Sequence, residues 1–387
     1  TALCTGHYSS PYNLQLISTQ TNMHHSVHDI LAGSVDVSKM IVPNVTNTRT
    51  HYREQLNDKF LEKFNFDSMI YALEQFNSQY SSLFEVDRKS LYETFYIPKK
   101  SGGLREINAP VPELMNALRT LKTIFEKNMF ALYHTSAFAY VRGRCTVDSI
   151  KRHQQNESKW FVKLDFSNFF GSTTEEFVLS MFSQIFPFSE IVKRRNGLEA
   201  LKRALSLCFL NGGLPQGTPI SPTITNIMMI PIDHQICNDL RKKDEHFVYT
   251  RYADDILISS KVNFDYNQVQ EYILSVLKRF RAPFVLKKEK TRYGSSAGRN
   301  WNLGVMLNKD NEITIGHQKK KTFKAMCCNY ICDKKKNVNW DRHDVQVFAG
   351  LISYYKMIEP DYIKYVIEHN NQKFKVNIEK LIKDDLS

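Results

Sequence analysis

Tyr252-Ala253-Asp254-Asp255 lies between two short apolar runs, Phe247-Val248-Tyr249 ahead and Ile256-Leu257-Ile258 behind. Flanks of this kind predict a β-hairpin with two adjacent carboxylates at its tip. A doubly anionic pair between buried strands is costly unless something cationic meets it. Divalent metal ions are the natural occupants, and oxygen ligands suit Mg²⁺ best, with Mn²⁺ as a substitute. Two such ions held close together can activate a primer hydroxyl and stabilise a leaving pyrophosphate. The stretch therefore points to nucleotidyl transfer. On these residues alone, a plain turn without metal stays open.

A third carboxylate strengthens the reading. Phe161-Val162-Lys163-Leu164-Asp165-Phe166-Ser167-Asn168-Phe169-Phe170 reads as a buried strand running into a turn or helix start. Asp165 interrupts an apolar segment, so it is a ligand, a cap for the following turn, or half of an ion pair. A third element, Gly212-Gly213-Leu214-Pro215-Gln216-Gly217, is a flexible loop ahead of a helix starting near Ser221-Pro222. Pro231 should kink or end that helix.

Asp165 with Phe169-Phe170, the segment Gly213 to Pro222, and Tyr252-Ala253-Asp254-Asp255 follow the order of the polymerase motifs of reverse transcriptases. The chain resembles the bacterial branch that includes retrons, group II intron proteins and defence-associated enzymes. The likeness runs from about Tyr92 to about Leu307, with a weaker thumb-like match beyond. It implies an α+β right-hand polymerase fold with an antiparallel palm sheet, helical fingers and a helical thumb. The expected division is 1–85 as an N-terminal extension, 86–162 as fingers, 163–310 as palm and 311–387 as thumb. The implied activity is RNA-directed DNA synthesis from dNTPs with two Mg²⁺ ions. Asp165 and Asp254 would be metal ligands, with Asp255 as ligand or electrostatic support.

The resemblance also assigns roles around that centre. Tyr92 to Pro98 and Leu104 to Ala109 read as two strands around a Gly102-Gly103 tip, flanked by Lys99 and Arg105. These two resemble the fingers residues that hold an incoming nucleotide's phosphates; a solvated basic turn is the alternative. Arg142 and Arg144 stand where template phosphates would be touched, or are surface charge. Phe170 stands where an aromatic excludes a 2′-hydroxyl, or simply packs in the core. Gln216 would sit near the nucleotide or template base. Lys290 either protonates the departing pyrophosphate or is solvated. Trp301-Asn302-Leu303-Gly304-Val305 looks like the primer-grip hairpin. In two places the chain departs from retrons: Ser149-Ile150 stands where they carry Asn-Ala before His153, and Asn302-Leu303-Gly304 where they carry Val-Thr-Gly.

Composition agrees. Lys and Arg number 52 against 40 Asp and Glu in 387 residues, an excess of +12 that suits a polyanionic partner. Lys319-Lys320-Lys321 opens a basic helix, a candidate clamp for a template–primer duplex. Pro112 starts a helix with the stripe Leu114, Leu118, Leu121 and Phe125, and Asp67-Ser68 can cap an earlier one carrying Met69, Ile70, Leu73 and Phe76. Seven cysteines without a CxxC pair read as reduced, in a cytoplasmic protein with no membrane span. Cys327, Cys328 and Cys332 suggest core packing before metal. The end at Ser387 disfavours intron mobility and leaves a compact, defence-associated enzyme working on a dedicated noncoding RNA, making a DNA product in antiphage defence. Two rivals stay open: template-independent or protein-primed DNA synthesis, and an RNA-binding scaffold with an inactive palm.

Overall fold

A computed structural model describes residues 64–99, 102–129, 133–295 and 300–387. The expected polar N-terminal arm, Lys100 of the hairpin tip and Cys4 lie outside them. The first described helix, Phe66–Gln79, buries Met69, Ile70, Leu73 and Phe76 as its spacing predicts. Its cap differs from expectation. Asn65 Oδ1 accepts from the Ser68 amide at 2.9 Å, so Asp67 and Ser68 lie inside the first turn.

Strands β1 (Tyr92–Pro98) and β2 (Leu104–Pro110) pair antiparallel from Tyr92↔Pro110 to Pro98↔Leu104. Their tip closes through Lys99 N–H to Gly103 O at 2.9 Å, with Gly102 and Gly103 both at positive φ. The helix Pro112–Met129 then buries its stripe completely, Leu114, Leu118, Leu121 and Phe125 each being inaccessible.

The central sheet has five strands in the order β4-β5-β3-β6, with β7 also on β3. These are β3 (Trp160–Ser167), β4 (Val248–Tyr252), β5 (Asp255–Ser260), β6 (Val285–Leu286) and β7 (Arg292–Ser295). Strand period two divides β3 cleanly. Val162, Leu164 and Phe166 enter the larger core, against helices that include Glu175–Phe182, Ser221–Met228 and Ile230–Lys243. Phe161, Lys163 and Asp165 take the opposite face, where Phe161 joins a second core with Leu257 and Trp301. A one-residue slip would send Asp165 into the hydrophobic core, so burial of the even positions fixes the register.

Helix Ser221–Met228 begins where Pro222 predicts, and a new helix starts at Ile230 with Pro231 in its first turn, so the proline ends one helix and opens the next. Strands β8 (Asn300–Asn302) and β9 (Val305–Leu307) form a hairpin whose turn, Leu303-Gly304, has positive φ at both residues, and β10 (Ile313–Thr314) pairs with β9. Four helices follow: His317–Lys335, Arg342–Ile358, Pro360–Phe374 and Ile378–Leu386. Their apolar faces build the second core around Phe323, Tyr330, Phe348 and Ile363. The whole is a right-hand polymerase fold. Cys327 belongs to that core, and every cysteine among the described residues is a free thiol. No described helix is long and apolar enough to cross a membrane.

Candidate active site

Register brings the carboxylates together. Asp165 on β3 faces Asp255 on β5 across the ladder, and Tyr252 pairs with Asp255, leaving Ala253-Asp254 as a two-residue turn. The Phe166 amide donates to Asp254 O at 3.1 Å, fixing the turn against β3. Asp165 and Asp254, 89 positions apart in sequence by their numbering, thus share one end of the sheet.

The electrostatics are those of crowded acids. Burial holds the Asp254 carboxyl above the usual carboxylate range, and the charges of Asp255 and Asp165 push the same way. Burial also raises Asp255, opposed by Lys163 and reinforced by Asp165. Lys163 Nζ donates to Asp255 Oδ2 at 2.8 Å. Lys290 Nζ reaches both oxygens of Asp165, at 3.1 and 3.0 Å, and Lys287 Nζ lies 3.2 Å from Oδ1. The helix that follows, Glu175–Phe182, is capped by Thr174, whose side chain accepts from Phe177 N–H, so Asp165 does not cap it. Asp165 is half of an ion pair here. Asp254 has no ion-pair partner among the described residues.

The donor set is carboxylate oxygen on facing strands, and repulsion already lifts two of the groups; residues of this chemistry fit a divalent cation. Among the described residues, no three such side chains close into a ready-made cage. Lysine ammonium groups stand against two of them instead.

Around this centre lie the other expected residues. Phe170 is half-buried, edge-on to Phe169 at 5.6 Å. Its carbonyl accepts from Leu214 N–H at 3.0 Å, so the loop before Gln216 is stitched to the turn after Asp165. Gly213 makes that approach possible, since a β-carbon there would overlap the Gly171 carbonyl oxygen. Gln216 O accepts from the Asn108 amide at 2.8 Å, joining the loop to β2, while its half-buried side chain lies near the surface. Lys99 and Arg105 are exposed on the basic hairpin. Arg105 acts electrostatically on Tyr140, an exposed residue at φ +59 that also feels Asp254. Charge from the hairpin and from the aspartates is thus felt at the same tyrosine.

Several expected nucleic-acid contacts have internal partners. Arg144 Nη1 donates to the carbonyls of His134 and Ala137, each at 2.7 Å, bracing its own loop; Arg142 is exposed. Lys319 Nζ donates to Gly304 O at 2.8 Å, and Lys320 pairs with Glu359 beneath the Tyr362 ring. Lys321 alone of the three is fully exposed. Sequence reasoning missed Lys163, Lys287 and Tyr140. Lys163 had a readable signal, standing two residues before Asp165 on the same strand face.

Comparison with known proteins matches residues 97–335 to the family described as reverse transcriptase (RNA-dependent DNA polymerase). Retron Ec83 reverse transcriptase of Escherichia coli is 28% identical over 284 residues, covering 70% of this chain and 85% of that protein. Retron Ec73 reverse transcriptase of the same species is 25% identical over 274 residues, covering 69% and 83%. Among solved structures, apo telomerase from Candida tropicalis is 11% identical with a TM-score of 0.47, covering 78% of this chain and 62% of that one.

Proposed function

The chain belongs to the reverse transcriptase (RNA-dependent DNA polymerase) family and is retron-like, and from that premise we propose that Asp165 and Asp254, supported by Asp255, hold two Mg²⁺ ions for synthesis of DNA on a dedicated noncoding RNA. The observation that carries the site is the register of Asp165 opposite Asp255, with Asp254 in the adjoining turn. Bound there, divalent ions supply Lewis-acid activation of a primer hydroxyl and neutralise the leaving phosphates.

The protein's own groups position and neutralise. Lys163 stays on Asp255 and balances one negative charge. Lys287 and Lys290 turn from Asp165 toward the triphosphate. Lys290 is placed to give a proton to pyrophosphate once it leaves Asp165: burial pulls its pKa down, and the Asp165 pair, which raises it above the usual lysine value, makes it a poorer acid until that pair breaks. Lys99 and Arg105 bring cationic charge from the hairpin, whose glycine tip allows closure. Phe170 forms a wall beneath the sugar and selects deoxynucleotides. Gln216 stands by the new base pair. Arg142, Arg144 and Lys321 lie along the template–primer path, and Lys319 and Lys320 shape it through their internal bonds. The fingers, palm and thumb divide at about 86, 163 and 311, and the synthesis serves antiphage defence.

The test is extension of a primer on RNA by wild type and by Asp254→Asn, with sequencing of co-purified RNA from the native host. Synthesis lost in the variant, with one enriched RNA species, supports the reading. Product joined to protein favours protein priming; biological function retained by Asp254→Asn favours a scaffold. Either outcome refutes the proposal.

A further inference from the structure

Beneath the aspartate turn lies a buried network that the catalytic description does not use. Arg251 and Asp233 are both wholly inaccessible at the side chain. Nε and Nη2 of Arg251 donate to Oδ1 and Oδ2 of Asp233, each at 2.8 Å, a bidentate fork. Tyr249 Oη donates to Asp233 Oδ1 at 2.6 Å. The remaining donors reach out of the pair. Nη1 donates to Ala253 O at 3.2 Å and Nη2 to Asn226 Oδ1 at 3.3 Å. Asn226 in turn donates to Ala139 O at 2.8 Å, beside Tyr140.

Ala253 and Tyr140 both carry a side chain at positive φ, +57 and +59. A β-carbon in the left-handed region is strained by roughly 1–2 kcal/mol, so such a turn persists only where its surroundings dictate it. Arg251 bonds the carbonyl of one strained residue directly and, through Asn226, the residue next to the other. We propose that Arg251 is a positioning residue for the reaction: its fork on Asp233 fixes a guanidinium edge that sets the Ala253-Asp254 peptide, and so aims the Asp254 carboxylate at the cation. Burial alone does not explain the arrangement. A buried ion pair is weak support for stability, because apolar residues of similar volume serve as well or better.

That property supplies the test. The double variant Arg251→Met/Asp233→Leu replaces the pair by apolar volume and removes the donor to Ala253. Arg251→Lys keeps the charge and loses the fork. Tyr249→Phe removes a hydrogen bond to the same carboxylate and leaves the turn untouched. Melting temperature, kcat and KM for dTTP on poly(rA)·oligo(dT), and Mn²⁺ binding by electron paramagnetic resonance are measured for each. The double variant should melt near wild type, with kcat lowered about 10- to 100-fold, KM within about twofold, and Mn²⁺ bound about tenfold more weakly. Tyr249→Phe should keep kcat within about twofold. Wild-type kcat and Mn²⁺ affinity in a folded double variant overturn the proposal. So does an equal loss in Tyr249→Phe, or failure of both Arg251 variants to fold, which would assign the pair to folding alone. Asp254→Asn, run alongside, separates the two claims: full activity there refutes the Asp254 assignment itself.

Discussion

His153 offers a pH test of how the sheet is held. It lies in the last turn of the helix Thr146–Gln155, fully buried, and bonds through both ring nitrogens, Nδ1 to Ser259 Oγ at 2.6 Å and Nε2 to Thr250 Oγ1 at 2.8 Å. Those hydroxyls sit on β5 and β4, the strands that present the aspartate turn. Burial, aided by the charge of Arg152, pulls the imidazole down to about 3. His134 falls to about 3 as well, again chiefly through burial. An unfolded histidine titrates near 6.5, so the folded state binds fewer protons below that value. Stability from each neutral imidazole is therefore complete above about pH 6.5 and lost as pH falls toward 3. Between pH 6 and 5 unfolding takes up nearly one proton per buried ring, a loss of about 1.4 kcal/mol per pH unit each, or about 2.7 for the two. Urea titrations at pH 5.0, 5.5, 6.0 and 7.5 measure the slope. His153→Gln should be less stable at pH 7.5 by about 1–3 kcal/mol and should show about half the wild-type slope. An unchanged slope in that variant would mean that His153 is already charged in the fold, and the account of its two hydroxyl bonds would fail.

Three further outcomes follow from the site. Phe170→Ala should raise ribonucleotide incorporation relative to deoxynucleotide by about tenfold or more, read by gel extension with matched rNTPs; unchanged discrimination makes Phe170 plain core packing. Lys163→Met removes the cation that lowers Asp255, so that carboxyl should protonate at higher pH and the acid limb of kcat/KM should move to higher pH; a fixed limb would show Lys163 to be a bystander. Lys321→Ala should reduce the salt dependence of template–primer binding by about one counterion, whereas Lys320→Ala should leave the slope and lower the melting temperature, because Glu359 loses its cationic partner and keeps only Thr314 and the Ile315 amide; equal slopes for the two would undo the distinction between them.

Much of this architecture is legible in the residues. Short apolar runs set β3, β4 and β5, glycines mark the tip between β1 and β2, and the helical stripe from Leu114 to Phe125 is buried as its spacing requires. The order of Asp165, Gln216 and Asp254 carries the family. What escaped depends on three-dimensional register. The strand period puts Lys163 on the face of Asp165, but nothing local says that its partner is Asp255, that Lys287 joins Lys290 on Asp165, or that Lys319 turns inward to Gly304. A basic run reads as a uniform surface, yet neighbours in it take different partners because a helix points them in different directions. Arg251 is hidden for the same reason: beside two aspartates it invites a surface reading, and only the packing of helix Ile230–Lys243 on β4 reveals Asp233 as its counterpart. Asn65 and Asp67-Ser68 offer equally good capping chemistry two residues apart, so residue type alone does not pick Asn65.

The contact between Gly171 and Gly213 bears on how such an enzyme can be retuned. Main chain lies on main chain there, with no side chain to act as a cushion. Anyone testing nucleotide choice at Phe170 and Gln216 would therefore do well to leave both glycines fixed, so that a change in selectivity reads the side chains and not a shifted backbone. The seam behaves as a rivet between the turn after Asp165 and the loop that carries Gln216.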